Sequence, residues 1–293
     1  FIMKIAVLAD IHANLSALKT ANDHIEIWNP DYVIIAGDIV NRGPRPMECF
    51  QFVREKQLNY GWKLIRGNHE EYVLHNINPR TQFTCTEVGV HRATIWTGEQ
   101  LGVEVVSLKS LPIQESLIGP DGREVRFVHG SMKGLRDGIY PETSDEELRE
   151  KIELPNKKNN YPPPSVFCVG HTHRPLIRTL AGTTVVNAGS VGLPFDGDTR
   201  LAYAQLTWQE DNWKTEIVRL EYDRELAERD FYTSGFFEGG GPLVKLVQIE
   251  LRTAHSQLYN WAAKYQKSIL ASEISVEASV NEYISSSFGE SAI

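Results

Sequence analysis

Nine histidines occur in this 293-residue chain, and five of them fall inside short polar blocks shared with carboxylates, an asparagine and glycines. In chain order the blocks are Asp10-Ile11-His12, Gly37-Asp38, Gly67-Asn68-His69-Glu70, His129-Gly130 and Gly170-His171-Thr172-His173. Aspartate, asparagine and histidine together offer hard oxygen and borderline nitrogen donors with no thiolate, a set suited to Mn, Fe, Zn, Co or Ni rather than Ca. Asp10 and His12 are two residues apart, so on an extended backbone their side chains face the same way and reach one ion. His171 and His173 have the same spacing. Two such pairs, a carboxylate able to bridge, an asparagine and a further histidine make about two sets of four ligands. A pair of divalent ions held this way stabilises both the attacking and the leaving oxygen of an in-line displacement at phosphorus. None of the blocks is specific by itself; five in this order are.

Each block directly follows an apolar run rich in strand formers. Lys4 to Ala9, Tyr32 to Ala36 and Trp62 to Ile65 read as buried strands, separated by helical stretches that begin at the N-cap Asn14 and at Pro46. This β-α-β-α-β grammar argues for a parallel sheet with helices against it, and such sheets gather functional groups beyond the carboxyl ends of their strands. The segment 70–111 reads as mostly helical. Beyond it, Ile113 to Ile118 and Glu124 to Val128 flank the hairpin turn Gly119-Pro120-Asp121-Gly122, and five more strands are predicted between Val166 and Leu220. A sandwich of two sheets flanked by helices accommodates both halves. A short helix is predicted from Ser144, an irregular connector over Lys157 to Pro164, one helix over Leu243 to Lys267, and a poorly ordered serine-rich tail after Ser272. The division expected is a catalytic domain over 1–222 and a helical extension with its tail over 223–293.

Composition excludes several classes. No apolar run approaches the roughly 20 residues of a membrane helix. The start carries no secretory pattern, and Met3 is the expected translation start, preceded by Phe1 and Ile2. Cys49, Cys85 and Cys168 are few, scattered and odd in number, which fits a reducing, cytoplasmic setting and small buried hydrophobes rather than a disulfide framework. The net charge of −8 argues against a nonspecific nucleic-acid binder, but bound cations would still admit an anionic substrate. His24, His75, His91 and His255 lie in helix-like segments and read as structural or surface groups.

The ordered set D-x-H, G-D, G-N-H-E, H-G and G-H-x-H resembles the calcineurin-like metallophosphoesterase superfamily over about Met3 to Leu220. Val186 to Pro194, with Asp196 and Arg200 after it, is similar to the ending of small bacterial members. The resemblance implies a four-layer α/β sandwich of two mixed sheets flanked by helices. It implies that Asp10, His12 and His173 hold one metal, that Asn68, His129 and His171 hold a second, and that Asp38 bridges them. His69 would then protonate the leaving oxygen or steady the phosphate, and a hydroxide between the metals would be the nucleophile.

Two further stretches resemble the serine/threonine protein phosphatase branch: Asp38-Ile39-Val40-Asn41-Arg42-Gly43 and Leu64-Ile65-Arg66-Gly67-Asn68-His69-Glu70. Arg42 is expected to offer its planar guanidinium to phosphate oxygens, and Arg66 to make a structural ion pair. Asn41 stands where that branch has a second aspartate, and His129-Gly130-Ser131 where it has H-G-G. These departures place the chain nearer the small phosphodiesterase-like members. The expected substrate is a phosphodiester or another small phosphorylated compound. A protein phosphatase and a dinucleoside polyphosphate hydrolase are the alternatives. A non-enzymatic scaffold is a third reading, set against the fact that every expected ligand position is filled.

Overall fold

A computed structural model of the protein describes residues 2–78, 80–153 and 163–289. The elements run β1 (Met3–Leu8), α1 (Leu15–Trp28), β2 (Tyr32–Ile35), α2 (Pro46–Tyr60), β3 (Lys63–Leu64), α3 (Asn68–Asn76), α4 (Cys85–Leu101), α5 (Val105–Leu108), β4 (Gln114–Ile118), β5 (Glu124–Val128), α6 (Asp145–Ile152), β6 (Val166–Val169), β7 (Leu176–Leu180), β8 (Thr183–Asn187), β9 (Leu201–Gln209), β10 (Asn212–Leu220), α7 (Arg224–Thr233), α8 (Phe236–Gly239), α9 (Val244–Thr253), α10 (Leu258–Leu270) and α11 (Val276–Phe288). Most predicted strands and helices lie where the periodicity puts them. Asn14 caps α1 by accepting from the Ala17 amide at 3.1 Å, and Ser144 caps α6 in the same way through Glu147.

Two five-stranded mixed sheets form, in the orders β10-β9-β1-β2-β3 and β4-β5-β6-β8-β7. Strand alternation decides what each side chain packs against. Ile5, Val7 and Ala9 point into the layer between the sheets, where they meet Phe127, Cys168 and Val186. The alternate residues Ala6 and Leu8 face the other way, into a helical layer that includes Leu18, Phe50 and Phe231. On the far side of the second sheet, Phe167 and Val185 pack under Leu148 and Ile152 of α6. The result is the four-layer sandwich, with α6 the main helical cover on that side. Among the described residues no helix is long and apolar enough to cross a membrane.

Three expectations change. Leu243 to Lys267 is not one helix: α9 ends at Ala254, whose φ of 52° turns the chain, and α10 starts at Leu258. The serine-rich stretch after Ser272 is not poorly ordered through its length, because α11 occupies Val276–Phe288 and starts from a Ser275 cap. The irregular connector predicted over Lys157 to Pro164 lies outside the described residues except for Pro163 and Pro164.

The physical reason for α11 is a partner. Val276, Val280, Tyr283 and Ile284 recur at helical spacing and are buried against Leu246, Trp261, Tyr265 and Ile269. Trp261 donates its indole N–H to Ser279 Oγ at 3.1 Å. Replacing Trp261 with alanine should lower the free energy of unfolding by about 3–5 kcal/mol, measured as a shift of the urea midpoint. A variant with the wild-type midpoint would show that this layer contributes nothing to the cooperative fold.

Candidate metal centre

All five polar blocks emerge beyond the carboxyl ends of β1, β2, β3, β5 and β6, and both sheets deliver them to one rim. Backbone hydrogen bonds fasten the loops to one another. Asp10 N donates to Gly37 O at 3.1 Å, His12 N to Asp38 O at 3.0 Å, Gly170 N to His129 O at 2.9 Å and Gly192 N to Asp10 O at 2.9 Å. Two buried side chains outside the five blocks hold the same loops. Asn187 Nδ2 donates to Gly170 O at 2.9 Å and Thr172 Oγ1 at 2.8 Å, and Ser190 Oγ donates to Asp10 O at 2.7 Å.

The backbone reaches this arrangement by a route the sequence did not suggest. Asp10, His12, Ala13, Asp38, Asn41, Arg42, His171 and His173 all have φ between 46° and 69°. So the D-x-H and H-x-H pairs converge through left-handed turns, not through extended alternation. Non-glycine residues pay for that conformation individually and hold it only where surrounding structure over-determines it. Glu70 supplies much of that determination. Its fully buried carboxylate accepts from Gly67 N at 2.7 Å, Asp38 N at 2.9 Å, Ile39 N at 2.8 Å and Val40 N at 3.1 Å. Gly67 beside it has no room for a side chain: a Cβ there would lie 2.1 Å from Asp38 Oδ1.

Among the described residues three groups of potential ligand atoms result: Asp10 with His12 and His173, His12 with Asp38 and His69, and Asp38 with His129 and His171, each within 4.8 Å. His12 Nδ1 faces Asn41 O at 3.2 Å, and His173 Nδ1 faces Leu193 O at 2.5 Å. A carbonyl can only accept, so both rings carry their proton on Nδ1 and present a lone pair at Nε2. Those two Nε2 atoms are 3.1 Å apart. Asp10 Oδ1, buried and without a hydrogen-bond partner among the described residues, sits 3.4 Å from His173 Nε2 and 4.0 Å from His12 Nε2.

The second group repeats the theme. His129 Nδ1 faces Ala36 O at 2.8 Å, which turns Nε2 toward Asn68 Oδ1 at 2.8 Å and Asp38 Oδ2 at 3.2 Å. His171 Nδ1 lies 2.9 Å from the same Asn68 oxygen. Asp38 Oδ2 is also 3.7 Å from His12 Nε2, so this one oxygen stands between the two sets.

Electrostatics agree with the geometry. Burial, reinforced by neighbouring histidines for His12 and by Arg42 for His173, holds both imidazoles well below their ordinary pKa. Burial likewise takes His171 down to about 4 and His69 to about 3. Burial would lower His129 too, but the Asp38 carboxylate outweighs it and pushes His129 up to about 10. At that nitrogen a proton and a cation compete for one place. Burial raises Asp10, while at Asp38 the imidazoles of His129, His69 and His12 overcome burial and hold the carboxyl well below the usual range. Orphaned, converging acceptors of this kind fit a divalent cation.

His69 lies beside the cluster and is held differently. Asn41 Oδ1 accepts from Arg42 N at 2.9 Å and Thr97 Oγ1 at 3.3 Å, which leaves its Nδ2 to donate to His69 Nδ1 at 2.9 Å. His69 therefore carries its proton on Nε2. Arg42 makes an ion pair with Glu250 at 2.8 Å while also lining the open cleft above the cluster. Arg66 lies away from that cleft, 3.9 Å from Glu71. The cleft holds about 1070 Å³, with Asn68, His69 and His171 on its floor. Its walls include Arg136, Tyr140 and Glu147 from the segment after β5, and Ser256, Leu258 and Tyr259 at the start of α10. The remaining histidines, His24, His75, His91 and His255, belong to none of the ligand groups.

The calcineurin-like phosphoesterase superfamily domain matches residues 3–211. An uncharacterized protein of Methanocaldococcus jannaschii is 30% identical over 243 residues, covering 76% of this chain and 89% of that protein. A metallophosphoesterase from Sphaerobacter thermophilus superposes with a TM-score of 0.64 at 26% identity, over 87% of this chain and 100% of its own. A hypothetical protein from Pyrococcus horikoshii OT3 shares the fold with a TM-score of 0.71 at 23% identity, over the same 87% and 100%.

The Glu70 clamp can be probed without touching a ligand. Glu70→Gln turns an N–H₂ group toward two backbone donors, and should lower stability by about 2–3 kcal/mol. The same variant should bind divalent metal more weakly by calorimetry, since the Asp38 loop loses its anchor. Undiminished stability and metal affinity would remove Glu70 from this account.

Proposed function

The chain belongs to the calcineurin-like phosphoesterase superfamily, and from that membership we propose a divalent-metal-dependent hydrolase of phosphate esters with two ions at its centre, acting on a phosphodiester or another small phosphorylated compound. The observation that carries this reading is the 3.1 Å approach of two Nε2 lone pairs, His12 and His173, beside the unpartnered Asp10 oxygen. Asp10, His12 and His173 would hold one ion; Asn68, His129 and His171 would hold the other. The position of Asp38 Oδ2 between both sets supports a bridging role. Nitrogen and hard oxygen donors without thiolate suit Mn, Fe, Zn, Co or Ni. Bound ions would supply an activated water at neutral pH and stabilise charge on the phosphoryl oxygens.

The chain's own groups do the rest. His69 is fixed as the Nε2–H tautomer by the Asn41 amide, so it donates a hydrogen bond toward a phosphate oxygen over the cluster. With Asn41 as donor, the Nδ1 lone pair is occupied, and the ring serves better to steady charge than to release a proton. Arg42 adds a permanent cation at the cleft edge. The cleft is large enough for a diester with both its substituents, and its mixed aromatic and charged walls suit a small organic phosphate.

The test is hydrolysis of bis(4-nitrophenyl) phosphate by protein loaded with Mn²⁺. Turnover should vanish with chelator and return with metal. Asp38→Asn should remove most of it; full activity in that variant would reject the assignment. His69→Ala should lower kcat by roughly 10²-fold, as loss of one donor to a transition-state oxygen does, with metal content unchanged by elemental analysis. Loss of metal in that variant would make His69 a ligand instead.

A further inference from the structure

We infer that Glu250, in the helical segment beyond the family-matched residues, is a positioning residue for phosphate recognition: it holds the guanidinium of Arg42 in place at the lining of the cleft. The inference rests on the hydrolase reading above. Arg42 Nη2 donates to both oxygens of Glu250, at 2.8 and 3.0 Å. Using a single nitrogen for both contacts leaves Nη1 uncommitted. Nη1 makes no hydrogen bond to the described residues and is the donor left for a ligand, while Nε is buried and has no partner among them. The guanidinium carbon lies 5.2 Å from the centre of the Phe195 ring, and Phe195 in turn stacks on His173 at 4.3 Å and 12°. The arginine is thus gripped on one nitrogen and lies over Phe195 while still lining the cleft above the candidate ligand cluster.

Glu250 is itself a fixed point. Its side chain is wholly buried, and Oε1 also accepts from Gln257 N at 2.7 Å and Leu258 N at 2.9 Å. Those are the first amides of α10, whose Leu258 and Tyr259 wall the same cleft. One carboxylate therefore ties the phosphate-facing cation to the wall of the substrate cleft. A free arginine would have to be ordered on each binding event, and pre-ordering removes that cost. A buried carboxylate paired to arginine also cannot lose its partner cheaply, so the pair persists when substrate leaves.

The experiment uses the full chain loaded with Mn²⁺, bis(4-nitrophenyl) phosphate as substrate and inorganic phosphate as competitive inhibitor. Glu250→Gln should raise KM and the phosphate inhibition constant by about tenfold while kcat moves less than about threefold, the signature of lost binding shared by ground and transition states. Metal content should not change. In an Arg42→Ala background the same substitution should add nothing, because Glu250 acts through Arg42. Unchanged or tighter phosphate inhibition overturns the inference, and so does a full additional loss in the Arg42→Ala background. If Glu250→Gln fails to fold, Glu250→Asp keeps the charge but withdraws it, and the same inhibition constant decides. If the wild type shows no turnover, the hydrolase reading falls by itself. Calorimetric phosphate binding to wild type and variant then still decides the role of Glu250.

Discussion

Everything at the rim depends on one electrostatic conflict: lone pairs face lone pairs among buried side chains. His12 and His173 each commit their only proton to a backbone carbonyl, which leaves Nε2 of one ring opposed to Nε2 of the other beside a bare carboxylate oxygen. Such an arrangement is costly without positive charge and favourable with it. The remaining architecture keeps that conflict from relaxing. Left-handed backbone at the candidate ligand residues aims the side chains, Glu70 locks the Asp38 loop, and Asn187 and Ser190 brace the loops opposite. A site of this kind is preorganised by its surroundings rather than by its ligands.

Much of this was legible in the sequence, because each ligand block directly follows a hydrophobic strand. Parity along β1 fixes which residues line the intersheet layer, and the first polar residue past the strand must then sit at its end. The order of the blocks, their glycines and the β-α-β grammar sufficed for the sandwich. What stayed hidden was conformational. Nothing in Asp10-Ile11-His12 announces a φ of 54° or 46°, since non-glycine residues adopt those angles under tertiary compulsion and not from propensity. Glu70 was visible as a letter in a motif but silent as to purpose, because four backbone amides cannot be read from side chains.

The C-terminal region shows the opposite limit. The break at Ala254 carries no glycine or proline to mark it, so helical periodicity runs through it. The helix after Ser275 was obscured by serine content, although Val276, Val280, Tyr283 and Ile284 already had the right spacing. Composition misleads there because Ser285, Ser286 and Ser287 occupy the solvent side of an otherwise amphipathic helix, while Ser279 is buried as a partner of Trp261. Arg42 is a related case. Its expected phosphate role and its observed ion pair are compatible, but the partner lies 208 residues away and no local pattern could supply it.

The cleft divides its labour along the chain. The candidate ligands all fall between Asp10 and His173, within the span matched by the family, whereas part of the surrounding wall comes from Ser256, Leu258 and Tyr259, beyond it. Selection can therefore rework one border of the cavity in a duplicated gene while the inherited reaction stays intact. Descendants of such a gene would diverge first in which molecules they admit, and only much later, if ever, in what they do to them.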